Sequence, residues 1–195
     1  MSVKKVDVLL VGAGVMSATL GKLLAQLDPS LKIVMVERLA NVAHESSHGL
    51  NNAGTGHAGY CELNYTPQLP NGSIRIDRAL EVNAGFEVSL QFWSYLVEQG
   101  LLPASEKFIN PVFHQSFVRG EENVAYLRKR YQALHRHHLF EEMEYSEDHA
   151  VLHKWMPLVM RHRDPEQKVA ATQVKHGTDV DFGFLTRKLV KALLK

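Results

Sequence analysis

The fold is decided at the start of the chain, which reads Val6-Asp-Val-Leu-Leu-Val-Gly-Ala-Gly14. A short apolar run that is rich in β-branched residues and ends at glycine is typical of a parallel strand buried on both faces. After the glycines, apolar side chains recur at helical spacing as far as Leu27, and Asp28-Pro29 supplies a stop. A second apolar run, at 33–36, ends in Glu37. The order of strand, glycine-rich turn, helix and strand predicts a βαβ unit.

The turn has the pattern of a dinucleotide-binding site. Gly12 allows a tight bend, and Gly14 lets the backbone approach a pyrophosphate at the positive end of the helix. Ser17 replaces the third glycine of Gly-x-Gly-x-x-Gly and is small enough for close packing of the helix. Glu37 lies near the spacing expected of the acid that binds ribose hydroxyls. The pattern therefore predicts a cofactor with an ADP moiety and leaves both NAD and FAD open.

A second glycine-rich segment, from His44 to Tyr65, favours FAD. Its glycines permit close backbone approach, and its serine, asparagine and threonine side chains offer hydrogen bonds to a pyrophosphate, a ribityl chain or a flavin edge. A cofactor larger than NAD fits this segment better. The predicted cofactor-binding residues are Gly12, Ala13, Gly14, Met16, Ser17, Glu37, Arg38, Ser46, Ser47, Asn51, Asn52, Gly54, Thr55, Gly56 and His57.

The same segment carries a resemblance to a known family. Asn51-Asn-Ala-Gly-Thr-Gly-His57 followed by Cys61-Glu-Leu-Asn-Tyr-Thr-Pro67 resembles the malate:quinone oxidoreductases. The similarity continues over nearly the whole chain, in Gln91-Phe-Trp93, Phe108-Ile-Asn110, Ser116-Phe-Val118, Tyr145-Ser-Glu-Asp148, Pro157-Leu-Val-Met160, Asp164-Pro165, Val169-Ala-Ala-Thr172 and Gly177-Thr-Asp-Val180. One departure is Val112-Phe-His-Gln115, where the family pattern is Val-Pro-His-Met.

The resemblance implies an FAD-dependent enzyme that oxidises (S)-malate to oxaloacetate in the tricarboxylic acid cycle and passes the electrons to a membrane quinone. It also implies a cytoplasmic protein attached peripherally to the inner face of the cytoplasmic membrane. Because chains of this family are hundreds of residues longer, the sequence is expected to be an N-terminal portion that is inactive alone. Two alternatives remain, namely a related FAD-dependent 2-hydroxyacid oxidase that uses oxygen and a nucleotide-binding module without catalysis.

Two histidines are candidate catalytic bases. His57 lies in the flavin-side segment, where an imidazole can exchange a proton near neutral pH or donate a hydrogen bond to the flavin. The competing interpretation is a structural histidine bound by loop backbone. His114, on an extended segment at 111–118, is the weaker candidate and is otherwise an ordinary strand residue. A third possibility is a base beyond Lys195.

Composition argues against several other classes of protein. The 22 Lys and Arg residues nearly balance the 21 Asp and Glu residues, so no strong positive field is expected to attract nucleic acid. No apolar run reaches the roughly 18 to 20 residues that span a bilayer. The single cysteine fits a reducing compartment. No metal site is predicted, because the histidine clusters lack a carboxylate or thiol that would complete a ligand set.

The predicted fold class is α/β, with a Rossmann-like FAD-binding βαβ core and an inserted α+β substrate-side subdomain, truncated at the C-terminus. Residues 1–66 and 166–195 are assigned to the FAD-binding domain and residues 67–165 to the insert. Further predicted elements are helices at 77–99, 121–138 and 180–194, a helix opening at Ser146-Glu-Asp148, and an extended segment at 111–118.

Overall fold

The computed structural model describes residues 5–56 and 58–194. It begins with strand β1 (Val8–Val11), helix α1 (Val15–Leu27) and strand β2 (Ile33–Val36). The later elements are α2 (Asp77–Glu98), β3 (Ile109–Arg119), α3 (Glu121–Leu134), β4 (Glu144–Ser146), α4 (His149–Trp155), α5 (Pro157–Met160), β5 (Val169–Val180) and α6 (Phe182–Leu193), with short 3-10 turns at 63–65, 105–107 and 138–140.

The predicted βαβ unit is confirmed. β1 and β2 are parallel neighbours, with Val8 opposite Ile33 and Val11 opposite Val36. The Gly12 N–H donates to the Val36 carbonyl at 2.8 Å, so the pairing extends into the glycine-rich turn. This arrangement places the turn at the carboxyl ends of both strands, where open α/β sheets bind their ligands.

Small residues let α1 lie close to β1. Ala18 is fully buried, and a Cβ atom on Gly21 would lie 2.8 Å from Leu10 Cδ1 and 3.1 Å from Leu193 Cδ1. Leu193 belongs to α6, which packs against α1. The close approach of helix to strand therefore depends on Ala18 and Gly21 rather than on Ser17, which stands at the third position of the glycine motif.

The expectation that β1 is buried on both faces is wrong for the described residues. Leu10 is 6% exposed, whereas Leu9 is 56% and Val11 is 77% exposed. The reason is that α1 and α6 cover only the face to which Leu10 belongs, and the sheet of β1 and β2 has two strands. The opposite face of this sheet presents an apolar surface.

The chain falls into two compact units. The first comprises residues 1–55, 91–110 and 179–195, and the second comprises residues 56–90 and 111–178. The chain therefore passes from one unit to the other four times. The sequence analysis assigned residues 1–66 and 166–195 to an FAD-binding domain and residues 67–165 to a substrate-side insert. That assignment stays a prediction.

The second unit is built on a sheet in which the strand order is β3-β5-β4. β4 runs antiparallel to β5, with Glu144 opposite Gln173. The extended segment expected at 111–118 lies within β3. β5 was not predicted, because its first six residues are all buried and the sequence shows no alternation of polar and apolar side chains there.

The predicted helices agree with the structure except at some ends. α2 covers nearly the expected range, and Asp148 caps α4 by accepting from the Ala150 and Val151 N–H groups. α3 ends at Leu134 rather than at residue 138, because the chain turns into a 3-10 segment in which His137 Nδ1 accepts from the Leu139 N–H.

The last helix also starts later than expected. Val180 still belongs to β5, and α6 begins at Phe182 after Asp181, whose carboxylate accepts from the Phe184 N–H at 2.7 Å. A capping aspartate of this kind sets the first turn of a helix. None of the helices in the described ranges is long and apolar enough to cross a membrane.

Candidate cofactor site

The glycine-rich turn has the geometry of a cradle for a ligand. Gly12 has a φ angle of +87°, which side chains with a Cβ rarely adopt, and no atom lies within 4 Å of the place where its Cβ would stand. Gly14 is confined on the other side, since a Cβ there would lie 3.3 Å from Ser47 Oγ. Ser47 Oγ in turn accepts from the Val15 N–H at 2.9 Å, at the N-terminus of α1. The turn thus brings backbone N–H groups and a hydroxyl to the positive end of a helix of 13 residues.

Glu37 is tied to the same turn by backbone donors. Its Oε2 accepts from the Ala13 N–H at 2.7 Å, and its Oε1 accepts from the Leu39 N–H at 2.9 Å. These bonds, the one from Ala13 first, lower the pKa of the Glu37 carboxyl below its ordinary value. The side chain is therefore an anion at neutral pH, with its oxygens fixed beside the turn.

A cavity of about 570 Å³ opens over the turn and the end of β2. Its volume falls within the range of roughly 300 to 1,000 Å³ that is usual for small-molecule sites. Seven of the predicted cofactor-binding residues line it, namely Gly12, Ala13, Gly14, Glu37, Arg38, Ser46 and Ser47.

Sequence reasoning did not reach Ala43, although His44 and Glu45 beside it fall within the segment predicted to favour FAD. Ala43, His44 and Glu45 also line the cavity. Ala43 has a φ angle of +58° and donates its N–H to the Ala13 carbonyl at 3.0 Å, which brings this segment against the turn. An alanine in left-handed backbone has no signal in the sequence, because that conformation is expected of glycine or asparagine.

The two predicted asparagines organise the cavity wall. Asn51 Nδ2 donates to the Glu45 carbonyl at 3.0 Å, and Asn52 Nδ2 donates to the Ser46 and His48 carbonyls at 3.0 and 2.8 Å. Hydrogen bonds from the two side-chain amides therefore fix the backbone of the segment that includes Ser46. A direct contact of either asparagine with a cofactor stays a prediction.

The other predicted residues that the structure describes lie outside the cavity lining. Met16 is 81% exposed, and Ser17 lies in the first turns of α1. Gly54 and Thr55 approach Asp179, with Thr55 in an isolated antiparallel bridge to it. Gly56 donates its N–H to the Thr178 carbonyl at 2.9 Å. His57 lies outside the described residues.

His114 is a buried side chain of β3 in the second unit. It is 7% exposed, and its Nε2 lies 3.1 Å from the Thr178 carbonyl. A carbonyl oxygen only accepts, so Nε2 carries the hydrogen and Nδ1 of the neutral ring has a free lone pair. Nδ1 is buried without a hydrogen-bond partner among the described residues. The ring lies close against Gly177, where a Cβ would be 2.3 Å from His114 Cδ2, so only glycine leaves room for it.

Solved structures share this fold. L-α-glycerophosphate oxidase from Mycoplasma pneumoniae, determined with FAD bound, matches with a TM-score of 0.60 and 17% identity over 98% of this chain and 43% of its own. L-proline dehydrogenase from P. horikoshii matches with a TM-score of 0.59 and 12% identity over 98% of this chain and 42% of its own. The predicted α/β class with a Rossmann-like FAD-binding fold is confirmed.

Sequence comparison gives closer relatives. A protein from Hahella chejuensis named probable malate:quinone oxidoreductase is 68% identical over 195 residues, which are all of this chain and 39% of that protein. One of the same name from Methylobacillus flagellatus is 66% identical over 187 residues, covering 96% of this chain and 38% of its own. The chain thus spans about two fifths of the length of these relatives.

The family itself is given by a match that extends over nearly the whole sequence. A sequence model described as malate:quinone oxidoreductase matches residues 4–195. The motifs at 51–57 and 61–67, the nucleotide turn and the later segments all fall within that match. The chain belongs to the malate:quinone oxidoreductase family.

Proposed function

We propose that the full-length protein carrying this sequence oxidises (S)-malate to oxaloacetate with bound FAD and transfers the electrons to a membrane quinone. The observation that supports this most is membership of the family over residues 4–195. The cavity at the nucleotide turn supplies a place for the ADP half of the cofactor. Working at the inner face of the cytoplasmic membrane, as a peripherally attached protein, is part of the same proposal.

The residues at the cavity fit the ADP half of FAD. The open side of Gly12 and the N–H groups at the start of α1 suit a pyrophosphate, which needs donors and a positive field. Glu37 suits the ribose, because a fixed carboxylate accepts from hydroxyl groups. Bound there, FAD supplies the acceptor for the hydride that leaves malate C2.

Oxidation of an alcohol also needs a group that takes up the hydroxyl proton. His114 is a candidate, since its Nε2 is committed to the Thr178 carbonyl and its Nδ1 keeps a lone pair without a partner among the described residues. His57 is the other candidate, on its position in the glycine-rich segment at 44–65. In either case the base would take up the hydroxyl proton of malate as its C2 is oxidised, with oxaloacetate as the product.

The test is a comparison of the full-length protein with two glycine variants. Gly14→Val should abolish or greatly weaken FAD binding, because even a Cβ at this position meets Ser47 Oγ at 3.3 Å. Gly49→Ala is the matched control, since nothing lies within 4 Å of its Cβ position, and it should retain the yellow flavin absorbance. The wild-type protein should reduce a quinone analogue in a malate-dependent reaction.

Three results would contradict the proposal. If the wild-type protein contains no flavin, the proposed cofactor is wrong. If it does not reduce quinone in the presence of malate, the proposed activity is wrong. Malate-dependent formation of hydrogen peroxide without quinone reduction indicates the related 2-hydroxyacid oxidase instead.

A further inference from the structure

The segment from Ala58 to Thr66, called the strap below, lies in the second unit and follows the last of the predicted cofactor-binding residues. It contains a 3-10 turn at 63–65 and is otherwise irregular, so its carbonyl groups need partners outside regular secondary structure. It also carries most of the motif at 61–67, by which the chain resembles its family. The proposed function so far gives that motif no role.

Side chains from α2, β3 and α3 donate hydrogen bonds to successive carbonyls of the strap. Asn83 Nδ2 donates to Ala58 O at 2.7 Å, Arg130 Nη2 to Gly59 O and Tyr60 O at 3.0 Å each, Ser116 Oγ to Cys61 O at 2.8 Å, and Tyr126 Oη to Leu63 O and Thr66 O at 2.9 and 2.8 Å. The backbone of the strap is thereby fixed along its length.

Arg130 is the centre of this arrangement. Its side chain is fully buried in α3, and its Nε donates to Thr66 Oγ1 at 2.9 Å while Nη2 holds Gly59 and Tyr60. One planar guanidinium therefore joins the beginning of the strap to its end. A lysine cannot reproduce this geometry, because its ammonium is a point charge without a rigid fork.

The burial of Arg130 is unfavourable in itself. Removal from water lowers the pKa of its guanidinium, against the opposing influence of Tyr126, Cys61 and Glu62. Its Nη1 is buried without a hydrogen-bond partner among the described residues. An apolar side chain of similar size commonly stabilises a fold as well as a buried charge does. Stability alone is therefore a weak reason for an arginine at this position.

We propose that Arg130 is a positioning residue for the reaction, which fixes the strap so that the predicted cofactor-binding residues before it meet cofactor and substrate in a single register. The inference rests on the proposed function, because it needs FAD and malate as the ligands. Arg130 itself contacts neither; it acts through the carbonyls of Gly59 and Tyr60 and through Thr66. The motif at 61–67 thereby has the role of holding the strap to Arg130 and its neighbours.

The experiment compares Arg130→Lys and Arg130→Gln with the wild type in the full-length, FAD-loaded protein. Loss of register by about 1 Å can lower turnover by roughly 100-fold. We expect Arg130→Gln to lower kcat for malate by about 10- to 100-fold and to change the visible circular dichroism of the bound flavin, with a smaller change for Arg130→Lys. Arg128→Gln is the control, because Arg128 lies on the same helix, is exposed and pairs with Glu147 instead. It should leave both readouts unchanged.

Tyr126→Phe tests the same inference if Arg130→Gln does not fold. It removes the donor to the Leu63 and Thr66 carbonyls without removing a buried charge, and it should change the flavin signal in the same direction by a smaller amount. Variants that melt earlier but keep the wild-type flavin spectrum, kcat and KM would overturn the inference and leave Arg130 a structural residue. A wild-type protein that binds FAD without oxidising malate contradicts the proposed function instead, while the flavin spectrum still reports on the strap.

Discussion

Glu37 connects the nucleotide turn with the end of β2 through two hydrogen bonds from backbone N–H groups. In Glu37→Gln, the amide nitrogen has to face one of those donors, so one bond is lost and a repulsive contact replaces it. At the residue scale we therefore expect weaker FAD binding, by about tenfold, the typical effect of losing one hydrogen bond to a charged group. Titration of the apoprotein with FAD measures it. Glu45→Gln is the control, because Glu45 lines the same cavity and its carboxylate makes no hydrogen bond with the described residues.

The same carboxylate predicts how stability depends on pH. Its pKa in the folded chain is lowered from 4.5, with the Ala13 N–H as the main cause. A lowered pKa contributes stability that is fully present above the ordinary value and is lost as the pH falls through the lowered one. The difference in unfolding free energy between the wild type and Glu37→Gln should thus be constant near neutral pH and shrink below 4.5. A difference that grows on acidification contradicts this account.

At the residue scale, the part of the site that sequence reasoning reached is the part with a strict spacing. Gly12, Gly14 and Glu37 were predictable, because a tight turn, a close backbone approach and an acid at the end of the second strand each demand a residue type. Ala43 was not, since its left-handed backbone is set by the hydrogen bond to Ala13. Arg130 was not predictable either, since it is fully buried and its partners are carbonyls far away in sequence.

At the scale of elements, two glycines within helices should differ in how much their replacement by valine changes the free energy of unfolding. In Gly21→Val, the new side chain meets Leu10 and Leu193, since even a Cβ would lie 2.8 and 3.1 Å from their Cδ1 atoms. Overpacking of this kind usually costs about 1–3 kcal/mol. Gly85→Val in α2 is the control, because nothing lies within 4 Å of its Cβ position and valine has a better helix propensity than glycine. It should change the free energy of unfolding by less than about 0.5 kcal/mol.

Chemical denaturation of both variants measures the contrast. Equal effects at the two positions would show that α1 and α6 are not packed on β1 as closely as these distances indicate. Elements, like site residues, are predictable where local spacing decides them. β1, α1 and β2 follow from local patterns, whereas β5 is buried over its first six residues by neighbours that the sequence pattern does not reveal.

At the scale of the whole molecule, the outer face of the β1–β2 sheet is the largest departure from what the sequence predicts. Leu9 and Val11 lie opposite Val34 and Val36 on that face, and all four side chains are at least 38% exposed. A continuous apolar face of this kind marks an interaction surface. We expect the 195-residue chain to self-associate through it at high concentration, and Leu9→Glu to lower the association constant at least tenfold, because a charge at the contact must be desolvated.

Sedimentation velocity over a range of concentrations measures this effect, with Leu158→Glu as the control. Leu158 is 82% exposed but lies on α5 and is no part of the β1–β2 sheet, so its replacement should leave association through the sheet face unchanged. Equal effects of the two substitutions would mean that general hydrophobicity, and not this face, drives association.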